Sequence, residues 1–224
     1  MNGLQWNDVT MKRVLNRYKA LRSDRSFYFQ FLVGILFLLI SVVLNFVTNS
    51  YTALHASSAV SDLFLDNLPI VNVEEIFLEG MMILIAFVVF LGFSHPKRIP
   101  FILKSSALFI ATRSFFMILT HLAPPVGDAL FLSGNVVQRF MSGADLFFSG
   151  HTGYPFLMAL IFWEQRSLRI FFIAASLFFG AAVLLGHIHY SIDVFSAFFI
   201  TYGIFKLATV FFKRDHGLFM KDSS

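Results

Sequence analysis

Seven histidines occur in this 224-residue chain, and two of them sit in short runs that could do chemistry. The first run is Asp145-Leu146-Phe147-Phe148-Ser149-Gly150-His151-Thr152. A Ser-Gly-His at the start of a helix offers an anion unpaired backbone N–H groups, a hydroxyl and an imidazole. The glycine lets that anion approach the backbone closely. The second run is His189-Tyr190-Ser191-Ile192-Asp193. Its i, i+4 spacing puts imidazole and carboxylate on one helix face. The carboxylate can then hold one ring N–H while the other nitrogen attacks, as in a triad whose nucleophile is the histidine itself. His151 becomes the acid that protonates a departing alkoxide.

Plainer readings stand beside these. A single histidine at a helix end is most often an interfacial residue. Asp193 alone suits the positive end of a helix dipole, and Ser149-Gly150 suits a small-residue packing contact. Glu79 and Arg113 together suit a structural ion pair. Two histidines and a carboxylate are also metal ligands, although the Ser-Gly-His context points to phosphate rather than metal. What favours a site is position, which depends on the elements that carry these residues.

Those elements are membrane helices. Hydrophobic residues make up 57% of the chain and charged ones 13%, about half the share found in soluble domains. Phenylalanine occurs 31 times, and mean hydropathy is +0.74. A soluble fold of this length has no interior large enough for so much apolar side chain. Six apolar runs approach the roughly 20 residues needed to cross a bilayer: 27–46, 76–93, 99–122, 146–163, 170–185 and 190–212. The expected fold is therefore all-α, an integral membrane protein of six transmembrane helices. A basic amphipathic cytoplasmic segment (1–26) precedes the six-span membrane domain (27–212), and a cytoplasmic tail (213–224) follows it. With no cysteine, disulfides and thiolate-bound metals are excluded.

Six basic residues fall between Lys12 and Arg25, and others follow the second, fourth and sixth runs, as Lys97, Arg98, Arg166, Arg169, Lys213, Arg214 and Lys221. That distribution marks membrane flanks rather than a nucleic-acid surface, and places both termini in the cytoplasm. The opposite loops carry Asp62, Asp66, Glu74, Glu75, Asp128 and Asp145, with Arg139 as their one basic residue. In this topology Glu79, Arg113, His151, His187, His189 and Asp193 share one depth near the outer interface. Ionisable groups at membrane depth are costly and mark function.

Several stretches resemble one family. Ser149-Gly150-His151-Thr152, preceded by Gly143 and Asp145, resembles the third motif of the sphingomyelin synthase and ceramide phosphoethanolamine synthase branch of the type 2 phosphatidic acid phosphatase (PAP2) superfamily. His187-Ile188-His189-Tyr190-Ser191-Ile192-Asp193-Val194 resembles its fourth motif. Arg113, Thr120 and Leu122, followed by Pro124-Pro125, are similar to the second. Asp62-Leu63-Phe64-Leu65-Asp66 and Glu79-Gly80-Met81-Met82 are similar to the stretch leading from the first motif into the second span. The prolines of the first motif are absent, with Ala59, Val60 and Ser61 before Asp62. Val183 stands where the superfamily's ordinary lipid phosphatases carry an arginine, and their Lys-x6-Arg-Pro motif is missing.

The resemblance implies a PAP2-like helical bundle and a cofactor-free, metal-independent two-step transfer. His189, oriented by Asp193, attacks the phosphorus of a phospholipid head group. His151 protonates the departing diacylglycerol oxygen, and a ceramide-like alcohol then takes the phospho-head group, phosphocholine or phosphoethanolamine. Asp145 and Glu79 are expected beside His151 and the acceptor hydroxyl, with Ser149, Gly150 and Arg113 around the phosphate. The expected partners are the donor and acceptor lipids and the membrane. The chain's size and lack of cysteine suggest a bacterial cytoplasmic membrane, with the site on the periplasmic or exoplasmic face. Two other functions use the same residues or fold: a hydrolase in which water replaces the lipid acceptor, and a non-catalytic lipid-binding or transport scaffold.

Overall fold

The apolar runs fold as helices whose ends are set by capping and packing more than by hydropathy. The computed structural model describes residues 14–19, 21–22, 24–119, 122–125 and 147–222. Helix α1 spans Arg25–His55, and its first turn is capped by Asp24, which accepts the Phe27 N–H at 3.0 Å. It continues well past the apolar run expected to end at residue 46. The extension is driven by packing: Ser41, Asn45, Thr48, Asn49 and Thr52 recur at helical spacing, and all are buried. The long contact of α1 is with α3, Ile99–Leu119. At Gly34 a Cβ would lie only 3.1 Å from the Leu103 Cβ, so small residues let the two backbones close up.

Helix α2, Glu74–Ser94, begins with two glutamates that suit its dipole and is joined to α3 by a 3-10 turn, Pro96–Arg98. Helix α5 spans Arg166–Leu185 and α6 spans Ser191–Phe211. Helices α1, α2, α3, α5 and α6 are each long and apolar enough to cross a membrane. The run at 146–163 differs from expectation. Its helix, α4, is only Gly150–Ile161, about 18 Å at 1.5 Å per residue. Ser149 caps the start, and a turn after Ile161 ends it. So five spans by length, not six, are found among the described residues.

Although short, α4 is the centre of the bundle. Leu157, Met158 and Ala159 are fully buried, and α2, α3, α5 and α6 all contact it. At Gly153 a Cβ would meet Thr201 Oγ1 at 2.8 Å and a Phe109 ring carbon at 2.9 Å. Only glycine lets α3 and α6 close on α4 at that level. Away from this core Leu32, Phe90, Phe199 and Val210 are exposed, as on a surface solvated by lipid tails. Several apolar helices with such faces indicate a membrane protein.

At the end of the bundle away from the histidine runs, a last helix, α7, spans Lys213–Lys221. The tail expected at 213–224 is thus largely a docked helix. Phe219 is buried under the Arg98 guanidinium, 5.3 Å from its ring centre. Asp222 receives the Arg98 Nε–H at 3.1 Å and contacts His95 Nδ1 at 2.7 Å. Lys104, within the third apolar run, donates to Asp215 at 2.6 Å and to Gln30 at 2.5 Å. That buried pair ties α3, α7 and α1 together. Arg17 and Tyr18 reach the Ser94 and Phe93 carbonyls.

Candidate active site

Helix α4 opens on Ser149. Its hydroxyl accepts the Thr152 N–H at 3.4 Å and the Thr152 hydroxyl at 3.2 Å, and its carbonyl takes the Gly153 amide at 2.9 Å. These bonds close the first turn and leave the Gly150 and His151 amides, among the described residues, as donors without a partner. Ser149 is fully buried, so its hydroxyl serves the cap. Pro155 removes the amide that would otherwise bond the His151 carbonyl.

His151 is 8% exposed. Its ring stacks on Phe77 of α2 with centroids 3.7 Å apart, and meets the edge of Phe179 of α5 at 6.1 Å. Its Nε2 is buried and, among the described residues, without a hydrogen-bond partner. A buried polar atom of that kind costs on the order of 1–3 kcal/mol, an outlay common where a ligand completes the site.

The start of α6 lies beside it. The Ser149 N–H donates to the Asp193 carbonyl at 3.0 Å, which joins the two histidine runs through the backbone. The pairing of His189 and Asp193 differs from the helix-face expectation, because His189 precedes the helix. Tyr190 is the N-cap, and Asp193, at the third helical position, accepts the Tyr190 N–H at 3.0 Å. The same Oδ2 lies 3.6 Å from His189 Nδ1, an electrostatic contact longer than a hydrogen bond. Asp193 is wholly buried and its Oδ1 has no partner among the described residues. Helix capping therefore fixes the carboxylate, and the carboxylate faces the imidazole. His189 and His151 are close enough to interact electrostatically.

Arg113 of α3 completes the cluster. Its Nε donates to the Phe148 carbonyl at 2.7 Å, just before the α4 cap. A Cβ at Gly150 would lie 3.3 Å from that Nε, so glycine lets the guanidinium lie against the open helix end. Arg113, Gly150 and His151 share the wall of one cavity.

Not every expected residue joins. Glu79 is exposed on α2 and has no ion pair with Arg113. It stands two positions from Phe77, about 200° around the helix, and so faces away from His151. Asp145, together with Thr120, Asp128, Arg139 and Gly143, lies outside the described residues. His187 is structural. It ends α5 with φ 51°, the Ile188 N–H closes back on the Val183 carbonyl, and its ring reaches the Leu68 carbonyl at 3.2 Å. Among the described residues no three His, Asp or Glu side chains form a metal-binding group.

Sequence reasoning gave no role to three residues that hold the site. Phe77 supplies the stacking face for His151. Asp62, in the loop before α2, accepts the Ser191 N–H at 2.7 Å and the Ser191 hydroxyl at 2.8 Å, plus the Phe64 and Leu65 amides. Burial pushes the Asp62 carboxyl up, but those donors outweigh it and hold it below the usual carboxylate range. Tyr190 donates its hydroxyl to the Ala123 carbonyl at 2.9 Å and accepts the Val60 N–H at 3.2 Å. The loop before α2 is thereby strapped across the start of α6. An aspartate in a polar loop is the one sequence signal available for this strap.

Comparison with known families falls on this region. Residues 143–210 match the family model of the PAP2 superfamily C-terminal domain. The match covers α4, α5 and all but the last residue of α6, less than half of the chain, and supports membership of the PAP2 superfamily. PAP2 enzymes are generally phosphatases or phosphotransferases, so the match implies a lipid enzyme of that type. No curated protein and no solved structure matches the chain.

Proposed function

We propose that the chain is a membrane phosphotransferase that moves a phospho-head group, phosphocholine or phosphoethanolamine, from a glycerophospholipid to a lipid alcohol such as ceramide. The observation that carries this reading is the junction of the two helix starts. Two buried imidazoles, one facing a buried carboxylate, are held together by the Ser149–Asp193 backbone bond. That is the arrangement a nucleophile and a separate acid require.

In the first step Nε2 of His189 attacks phosphorus, with Asp193 opposite Nδ1 stabilising the charge the ring acquires. The bond from phosphorus to the diacylglycerol oxygen breaks, and His151 gives that oxygen its proton. In the second step His151 takes the proton of the acceptor hydroxyl. The hydroxyl oxygen attacks phosphorus, and the phosphorus–nitrogen bond breaks to restore His189. Arg113 and the open amides of Gly150 and His151 neutralise the phosphoryl oxygens. The Ser149 hydroxyl acts by holding the helix end in place. Both termini lie in the cytoplasm and the site faces the outer leaflet, in keeping with the distribution of Lys and Arg; a bacterial membrane is the proposed setting.

The test uses purified protein in detergent with EDTA, fluorescent ceramide and, in turn, phosphatidylcholine, phosphatidylethanolamine and phosphatidylglycerol. A new fluorescent phospholipid supports the transferase and names its donor. Release of phosphate or phospho-head group to water, with ceramide unchanged, replaces the reading with a hydrolase. No turnover with His151 and His189 intact favours the lipid-binding scaffold.

A further inference from the structure

A cavity of about 600 Å³ starts at the proposed site and runs down between α1, α2 and α3. We propose that it holds one acyl chain of the lipid whose phosphate reaches His151, and that Gly92 at its far end sets how long a chain fits. The inference rests on the transferase reading for what happens at the cavity's polar end.

Three observations carry it. The first is continuity. Arg113, Gly150 and His151 form one end of the cavity, while Gly92, Phe93 and Ile99 form the other. Between Ile99 and Arg113, α3 rises about 21 Å at 1.5 Å per residue, whereas the hydrocarbon of one leaflet is about 15 Å deep. A chain attached to a head group at Arg113 could run its full length inside.

The second is wall chemistry. Ile35, Leu38 and Val42 of α1 face Ile85, Val88 and Val89 of α2 across the space. Of the polar groups lower down, the Ser106 and Tyr154 hydroxyls bond each other at 3.3 Å, so each has a partner beside a passing hydrocarbon. Asn45, bonded by the Ser114 hydroxyl at 3.4 Å, lies level with Arg113, where the polar linkage of a lipid would sit.

The third is access. Helix α1 packs along α3, and α2 leans on α4, α5 and the end of α3, so α1 and α2 hardly touch. The gap between them opens sideways to the membrane. A lipid chain enters there without leaving apolar surroundings, and the positive Arg113 at the head of the cavity matches its phosphate.

Gly92 is the position at which this can be tested. A Cβ there would meet only Ile99 Cγ1, at 3.4 Å. A larger side chain therefore has room to start and must extend into the cavity floor.

The experiment compares wild type, Gly92→Ala and Gly92→Leu on donors with one head group and short, medium or long acyl chains. Gly92→Leu should lose long-chain turnover by about tenfold or more, the scale of forcing a chain past an extra side chain in a packed wall. Short-chain turnover should fall far less, and the Gly92→Ala profile should lie between those of wild type and Gly92→Leu. Val89→Phe, which narrows the same space one turn away, repeats the test if Gly92→Leu fails to fold.

Photo-crosslinking with a diazirine-bearing phospholipid reads the cavity without turnover. If no donor is turned over yet the label lands on α1, α2 and α3 and moves off in Gly92→Leu, the acyl site stands and the transferase reading falls. If transfer occurs with an unchanged chain-length profile in both variants, the acyl-chain assignment is overturned.

Discussion

Replacing Asp193 by asparagine separates its two roles. Its Oδ2 accepts the Tyr190 amide at 3.0 Å and faces His189 Nδ1 at 3.6 Å. Asparagine keeps an acceptor for the helix cap and nearly the same shape. What disappears is the negative charge, which costs about 0.3–1 kcal/mol at a helix N-terminus. For a 224-residue chain that lowers Tm by about 1–4 °C. At the imidazole the change is severe, because a neutral amide neither fixes the ring tautomer nor stabilises the cationic ring. The corresponding exchange in a Ser-His-Asp triad costs about 10⁴ in kcat, equivalent to about 5.5 kcal/mol of transition-state stabilisation. Asp193→Ala should lose the same activity and also the cap, worth about 0.5–2 kcal/mol. Initial rates of head-group transfer and thermal unfolding, measured on the same preparations, read both roles. An asparagine variant within tenfold of wild-type turnover, or one as unstable as alanine, would refute the reasoning.

The remaining predictions concern what holds the site and the bundle. Lys104→Met or Asp215→Leu alone strands a buried charge and should cost about 3–5 kcal/mol, or roughly 6–20 °C in Tm. The double variant should recover most of that loss, and failure to recover would deny the pair its role. Asp62→Asn should weaken the strap over α6 by about 1.5–3 kcal/mol and speed amide exchange of residues 60–68, with α3 unaffected as the internal reference. Burial, helped by the nearby Arg98 and Arg17 charges, holds the His95 imidazole below its usual range despite the pull of Asp222. A lowered folded-state pKa means the unfolded chain binds the proton more readily. The contribution to stability is therefore complete above about pH 6.5 and is lost as pH falls through the folded value. Protection factors of the α7 amides, which allow for the slower intrinsic exchange in acid, should fall on acidification from neutral pH, and His95→Gln should flatten that response.

The sequence told much about the site and less about its supports. The gathering of Arg113, His151, His187, His189 and Asp193 at one end of the bundle follows from hydropathy, charge distribution and the cost of ionisable groups in a membrane. Glu79 shared that depth, but depth does not give rotation, and a weakly patterned, uniformly apolar α2 offers no sequence signal for which side faces inward. His189 and Asp193 were paired from helix spacing, whereas capping brings them together, since the helix begins only at Ser191. The run at 146–163 is apolar because α4 is packed at the centre of the bundle, and hydropathy alone does not show that its helix is only Gly150–Ile161. The ties from Lys104 to Asp215 and from Arg98 to Asp222 link positions more than a hundred residues apart, where local pattern carries no information. The polar stripe of α1 is visible as Ser41, Asn45, Thr48, Asn49 and Thr52, but only its match to α3 explains why the helix continues to His55.

The central claim is that His189 carries the phospho-head group between donor and acceptor. Rapid acid-free quenching of the purified protein with a donor labelled in its head group, without acceptor, followed by peptide mass spectrometry, tests it most directly. The account predicts an acid-labile phospho-head-group adduct on His189, absent from His189→Gln and consumed when ceramide is added. Label on His151, label retained in His189→Gln, or steady transfer with no adduct in the wild type would contradict it.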